Sequence, residues 1–264
     1  MLEGRLTHAS TLKKIVEAVK DVISEANFDC NDSGITLQCM DSGHVALVLL
    51  QLNSDGFEDY RCDRNITLGI NFAALTKVLK CAANDDSLTL KADDSGDRLN
   101  FVFESQKGDR VSEFDMKLMT IDAELLSIPD NDYDVTIKMS SAEFSRICKD
   151  LANFGETMNI SADKESVRFG VEGDVSAASV VLRPNETIDE DEKIVSTSIM
   201  VKKETNVNLS MKFLKTFANS SLAGSVTLEL QDDIPCLIKY VFPNDLGVLC
   251  FYLAPKGDED NAEE

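Results

Sequence analysis

Tryptophan is missing from this 264-residue chain, histidine occurs twice, proline five times, and aromatics make up only 6%. Long apolar runs are missing too. A stretch such as Val45–Leu50 falls far short of the roughly 20 residues that cross a bilayer, so no membrane span is expected. The N-terminus, MLEGRLTHAS, lacks a basic stretch followed by an apolar core, and no secretory signal is expected. Only His8 and His44 could act as histidine bases, and neither has a second histidine at ligand spacing. The patterns G-x-x-x-x-G-K-[ST], G-x-G-x-x-G and G-x-S-x-G are absent, which removes phosphate loops and nucleophile elbows. Seven cysteines, an odd number with no C-x-x-C, point to a reducing compartment without disulfides or zinc.

Positive charge is scarce as well. Lys and Arg total 26 against 47 Asp and Glu, a formal net charge of −21. Taken whole, that balance argues against nucleic acid as a partner, because phosphate contacts come from clustered bases. The acidic pairs Asp85-Asp86, Asp93-Asp94 and Asp232-Asp233 stand between strand-like runs and read as solvated turns. The alternative is a metal-dependent hydrolase using Asp93-Asp94 or Asp232-Asp233, which would need magnesium-dependent turnover. The segment Asp130–Asp134 imitates the start of an EF-hand loop but lacks the glycine at position 6 and the later glutamate. No catalytic residue, metal or cofactor is expected, and the chain is read as a binding protein.

With 43% hydrophobic residues the chain can fill a substantial core, and its organisation is repetitive. Four amphipathic helices are expected within the windows 10–23, 72–83, 141–154 and 209–221, each beginning just after a candidate cap: Ser10, Asn71, Ser140 and Ser210. Ser140 with Glu143 has the form of a capping box. A strand-like run precedes each helix, starting at Leu2, Ile66, Val135 and Val207, and three follow it. The pattern strand, helix, strand, strand, strand thus occurs four times, and two such βαβββ units per domain give an α+β chain of two similar domains. The expected boundaries are 1–118, an acidic connector over 119–134, 135–256, and an acidic tail over 257–264. One large domain with a long loop is the alternative. Edge strands near Arg110–Lys117 and Val175–Leu182 could pair between copies, a heterologous contact that closes into rings.

Charge divides unevenly over this pattern. The four helical windows hold nine bases (Lys13, Lys14, Lys20, Lys77, Lys80, Arg146, Lys149, Lys212 and Lys215) against four acids (Glu17, Asp21, Glu143 and Asp150). They therefore carry +5, and the remaining 17 bases and 43 acids carry −26. The bases avoid the apolar stripes, and three pairs share a face at i, i+3. One basic helix face is ordinary for a solvated helix; four of the same sign make a surface that attracts a phosphate backbone without reading bases.

Particular stretches resemble a family. Met40-Asp-Ser-Gly-His-Val-Ala-Leu-Val48, Gly56-Phe-Glu-Asp-Tyr-Arg-Cys-Asp-Arg64, Leu68-Gly-Ile-Asn71, Leu79-Lys-Cys-Ala82, Lys117-Leu-Met119, Ser141–Leu151 and Leu253-Ala-Pro-Lys256 are similar to the proliferating cell nuclear antigen family of eukaryotic DNA sliding clamps. The resemblance implies a closed homotrimeric ring that encircles double-stranded DNA without sequence preference, in the nucleus and without catalysis. It implies docking of DNA polymerases, the clamp loader, nucleases, ligase and repair proteins, translesion synthesis included, through short hydrophobic peptide motifs.

By residue, it implies DNA contact through Lys13, Lys14, Lys20, Lys77, Lys80, Arg146, Lys149 and Lys212, to which the helical pattern adds Lys215. It implies a partner pocket of Met40, His44, Val45, Leu47, Leu126, Ile128, Pro235, Tyr252, Ala254 and Pro255, and a ubiquitin and SUMO acceptor at Lys164. The subunit edges would use Arg110, Phe114, Met116, Ala178 and Val180. Two positions depart from the family pattern: Asn219 stands where many members carry a base, and Phe114 replaces a tyrosine. The acidic segment Pro184–Lys193 and the tail from Gly257 are poorly matched and read as mobile.

Overall fold

A computed structural model describes residues 1–93, 96–123, 126–128, 131–188, 194–219 and 221–257. The chain divides into two units, Met1–Ser127 with Phe242–Leu249, and Ile128–Val241 with the residues from Cys250 onward.

In the first unit the order is β1 (Leu2–Leu6), α1 (Ala9–Val19), β2 (Glu25–Asn31), β3 (Gly34–Met40), β4 (Ala46–Asn53), β5 (Asp59–Cys62), β6 (Ile66–Asn71), α2 (Phe72–Lys80), β7 (Ser87–Ala92), β8 (Arg98–Glu104) and β9 (Val111–Lys117). The repeats exchange their first strands. β1 pairs antiparallel with β7, giving the order β5-β1-β7-β8-β9, while β6 pairs with β2, giving β4-β3-β2-β6. Neither repeat completes a sheet alone, so burial of the helices against sheet requires both.

The second unit repeats this plan with β10 (Val135–Ser140), α3 (Ser141–Leu151), β11 (Thr157–Ala162), β12 (Val167–Glu172), β13 (Ala177–Leu182), β14 (Asn185–Ile188), β15 (Ile194–Val201), β16 (Thr205–Ser210), α4 (Met211–Phe217), β17 (Ser225–Leu230) and β18 (Cys236–Val241). A last strand, β19, spans Gly247–Leu253. Here β16 joins β11 in the order β13-β12-β11-β16, and β10 joins β17 in β14-β15-β10-β17-β18.

The same device starts all four helices. The first helical N–H donates to the carbonyl just before the second strand of the sister repeat: Ala9 to Asp86 (2.7 Å), Phe72 to Ser24 (2.9 Å), Ser141 to Gly224 (3.1 Å) and Met211 to Glu156 (2.9 Å). A backbone acceptor thus satisfies one of the orphan donors of each helix end. This moves the first helix start from the expected Ser10 cap to His8, with Ser10 inside the helix. Asn71 does cap α2, accepting from Ala74 N–H at 2.9 Å. Ser140 accepts from Glu143 N–H at 3.4 Å, but the Glu143 carboxylate turns to Arg146, so only half of the capping box forms. Ser210 is the N-cap of α4 without a side-chain bond. The first helix also ends at Val19 and not 23, because the chain must turn to present the Ser24 carbonyl to α2.

Three strands fall outside the expected pattern. β5 pairs with β1, and Tyr60 within it bonds the carbonyls of Asn31 and Gly34 at 2.8 Å each, tying that sheet to the β2–β3 turn. Gly56 precedes it where a Cβ would lie 2.2 Å from the Leu246 Cα, so glycine is required. The expectation of a mobile segment over 184–193 is corrected in part: Asn185–Ile188 pairs with Ile194–Thr197 as a hairpin, and residues 189–193 lie outside the described residues. The expected acidic tail, from 258 on, also lies outside them.

Candidate nucleic-acid and partner interfaces

The helices bury one stripe each: Leu12, Ile15, Val16 and Val19 on α1, Phe72, Leu75 and Leu79 on α2, Phe144, Ile147, Cys148 and Leu151 on α3, and Met211, Leu214 and Phe217 on α4. Burying each such side chain contributes about 1.5–3 kcal/mol, which holds the opposite, basic faces toward solvent. Lys14, Lys77, Lys80, Lys149, Lys212 and Lys215 are exposed and, among the described residues, form no ion pair. Three other bases are already engaged. Lys13 Nζ donates to the Ala82 carbonyl at 3.2 Å, just past the end of α2. Lys20 Nζ lies 2.5 Å from Glu17 Oε2, and that hydrogen bond raises its pKa. Arg146 pairs with Glu143 at 3.1 Å. Asn219, where a base is missing, accepts from Ser221 N–H (3.0 Å) and Oγ (2.7 Å) and shapes the turn after α4.

At the edges of the sheets lie β9 and β13, each with alternate residues exposed. Phe114 packs on Phe103 with ring centroids 5.8 Å apart, and Met116 is buried within its own unit. Ala178 and Val180 are half-buried on β13. Arg110 bonds Asp86 Oδ2 at 2.8 Å, and the same oxygen accepts from Ala83 N–H at 2.9 Å. The reading of Asp85-Asp86 as a solvated turn is thereby corrected for Asp86, which is 4% exposed because these partners compensate its burial. Asp232 is likewise occupied, by Lys203 at 3.3 Å and Asn206 N–H at 3.2 Å. Asp94 and Asp130 lie outside the described residues.

Past β9 the chain passes across β6, β2 and β3. Met119 N–H donates to the Gly69 carbonyl at 3.0 Å, where a Cβ on residue 69 would stand 1.9 Å from the Met119 oxygen. Asn27 Nδ2 then donates to Ile121 O at 3.1 Å, and the Gln38 carboxamide both donates to Leu126 O and accepts from Leu126 N–H at 2.8 Å each. Beside this track, Asp41 accepts from Gly43, Val45 and Ala46 N–H at 2.7–2.9 Å. Its burial works to raise the carboxyl pKa, but the three backbone donors outweigh it and the pKa is lowered. This loop sets His44 at φ 56° and leaves Val45 37% exposed, with Met40 half-buried and Leu47 buried beneath.

In the second unit, Tyr133 is buried and donates to the Pro235 carbonyl at 3.1 Å. Pro235 is exposed, while Ile128, Tyr252, Ala254 and Pro255 are half-buried. Lys256 N–H donates to the Asn208 carbonyl at 2.8 Å. Lys164 is exposed at the tip of the β11–β12 turn, where Asp163 Oδ1 accepts from the N–H groups of Glu165 and Ser166 at 2.8 Å. Sequence reasoning missed Asn27, Gln38, Asp86 and Tyr133, which stand on strands, a turn and the connector without a motif. Asp41 is different. Its place before Ser-Gly is an Asx-turn signal that could have been read.

Four of the seven thiols (Cys30, Cys148, Cys236 and Cys250) are buried, with pKa values raised by desolvation, to about 12 for Cys148 and about 11 for Cys250. No helix among the described residues is long and apolar enough to cross a membrane.

The family model for the proliferating cell nuclear antigen N-terminal domain matches residues 1–125, and that for its C-terminal domain matches 127–256. A proliferating cell nuclear antigen from Chaetomium thermophilum is 48% identical over 262 residues, covering 98% of this chain and 100% of the relative. With both halves matched and the basic helix faces in place, the chain belongs to the proliferating cell nuclear antigen family: it is a DNA sliding clamp, a homotrimer that encircles DNA, confers processivity and docks replication and repair proteins, and it is not an enzyme.

Proposed function

We propose that this clamp holds the phosphate backbone mainly through Lys14, Lys77, Lys80, Lys149, Lys212 and Lys215, with Lys13, Lys20 and Arg146 contributing less because each is engaged within the chain. The observation that carries this reading is the exposed basic face opposite every buried stripe. Such contacts bind by counterion release and leave the clamp free to slide.

Short hydrophobic motifs dock on Met40, His44, Val45, Leu47 and Leu126 of the first unit and Ile128, Pro235, Tyr252, Ala254 and Pro255 of the second. The exposure of Val45 and Leu126 supports it, since an apolar side chain held in water invites a partner. The subunit edges use Arg110, Phe114, Met116, Ala178 and Val180, which the free outer edges of β9 and β13 support. Lys164, on an exposed turn, accepts ubiquitin and SUMO, and the protein works in the nucleus. The domains run over 1–118 and 135–256, with the connector between them.

Changing Lys77 and Lys80 together to Glu should weaken association with duplex DNA and flatten its dependence on salt, by a log–log slope of about 0.9 for each phosphate no longer neutralised. Binding of a hydrophobic-motif peptide should be unchanged. An unaltered salt slope would overturn the assignment.

A further inference from the structure

The two units share a register that allows residue-by-residue comparison. Asn27 pairs with Gly69 in the first unit and Asn159 with Asn208 in the second. Cys30 pairs with Ile35, and Ala162 with Val167, so Gln38, three residues past Ile35, matches Gly170, three past Val167. The crossing chain begins alike in both. Met119 N–H bonds Gly69 O, and Lys256 N–H bonds Asn208 O. An asparagine follows at the matched position in both units. At the third position they part: the first unit has Gln38 gripping Leu126, and the second has glycine.

Gln38 holds Leu126 as a strand neighbour would, but through a side chain. Its carboxamide supplies one donor and one acceptor to the two backbone groups of a single residue. Between Ile121 and Leu126 the described connector residues, 122 and 123, show no hydrogen bond to the sheet, and among the described residues Gln38 is the strand residue that hydrogen-bonds Leu126. We propose that Gln38 is a positioning residue for partner docking: it touches no partner, and it fixes the Leu126 backbone so that the exposed leucine side chain is already in place when a hydrophobic motif arrives. The proposal rests on the pocket reading above. Fixing a loop in advance removes its ordering cost from the binding step.

The test uses the full-length homotrimer as wild type, Gln38→Glu, Gln38→Ala, Asn159→Ala and Ile128→Ala. The probe is a labelled peptide carrying the hydrophobic docking motif of a replicative polymerase. Glu keeps the acceptor for Leu126 N–H and loses the donor; Ala loses both. Hydrogen exchange at the Leu126 amide should therefore rise in the order wild type, Glu, Ala, by about tenfold or more for Ala. Exchange at Phe28 and Ile70 and the melting temperature should hold. Peptide affinity should fall about five- to tenfold for both Gln38 variants, through faster dissociation, and stay unchanged for Asn159→Ala. Unchanged Leu126 exchange would overturn the latch. Faster exchange with unchanged peptide affinity would overturn its role in docking. If Ile128→Ala binds the peptide as wild type does, the pocket reading itself fails, and the docking role falls with it even where the exchange result stands.

Discussion

The helix pairs of the two units stand on one scaffold and carry the same sign of charge, yet almost never at the same positions. Aligned by the N–H that starts each helix, Lys14 matches Arg146, but Lys13 matches Ser145, Glu17 matches Lys149 and Lys20 matches Ala152. On the second pair Lys77 matches Thr216, Lys80 matches Asn219, Thr76 matches Lys215 and Ala73 matches Lys212. The apolar positions do correspond: Leu12 with Phe144, Ile15 with Ile147, Leu75 with Leu214. Packing constrains shape atom by atom. A field on a phosphate backbone needs only the charge, somewhere on the exposed face.

The sharpest break in the comparison is aromatic. Phe217 is fully buried, stacks on Phe251 with centroids 4.3 Å apart, and receives the Tyr240 hydroxyl on its carbonyl at 2.7 Å. Its counterpart on α2 is the half-buried Val78. Phe217→Ala should cost about 3–5 kcal/mol in denaturant unfolding, well above Val78→Ala. Equal losses would mean that α4 is not held by this stack.

Caps come next. Asn71→Ala should destabilise by about 1 kcal/mol, because it leaves the Ala74 N–H without its acceptor. Ser210→Ala should change stability by less than about 0.5 kcal/mol, since its side chain caps nothing. The same unfolding experiment compares the two.

Exchanging Glu17 and Lys149 tests the charge pattern directly. Glu17→Lys frees Lys20 and gives α1 the charge that α3 has at the matched position. It should steepen the salt dependence of DNA association by about 0.9 in log–log slope for each additional phosphate neutralised, and Lys149→Glu should flatten it by a similar amount.

The smallest effect separates two loops. Asp41 in the first unit matches Gly173 in the second, where Gly173 N–H and Ser176 O close a short turn at 3.0 Å without a carboxylate. Because the folded pKa of Asp41 lies below the ordinary 3.8, its contribution is present above that value and is lost as pH falls through the folded pKa. Acid titration followed by NMR should shift the Val45 amide in that window while Gly173 stays still, and Asp41→Asn should remove the transition.

The four helices and the strands beside them were legible because their periods are local: apolar spacing of three and four on α1, alternation over Ser87–Ala92 and Thr157–Ala162. The exchange of β1 and β6 between repeats was not. Leu2 and Ala92 pair across 90 residues, and nothing in either strand names its partner. β5 was missed because four residues carry too little pattern, and β14 because its segment is rich in acids. Among site residues, the basic faces could be read from helical spacing, whereas Gln38 and Asn27 occupy ordinary polar positions of half-buried strands.

Composition and spacing by themselves determined the repeat, the sign of the helix faces and the four buried stripes, since each depends on residues within one turn or one strand of each other. Tertiary structure alone decided that Lys13 is engaged, whereas the acids that occupy Lys20 and Arg146 stand three residues away along the same helix. Lys13 shares the sequence signature of its neighbours, and only the folded chain brings the Ala82 carbonyl to it, at a separation of 69 residues. A hydrogen bond forms by distance and direction, and for two groups so far apart in sequence the chain acquires those only once distant strands have paired.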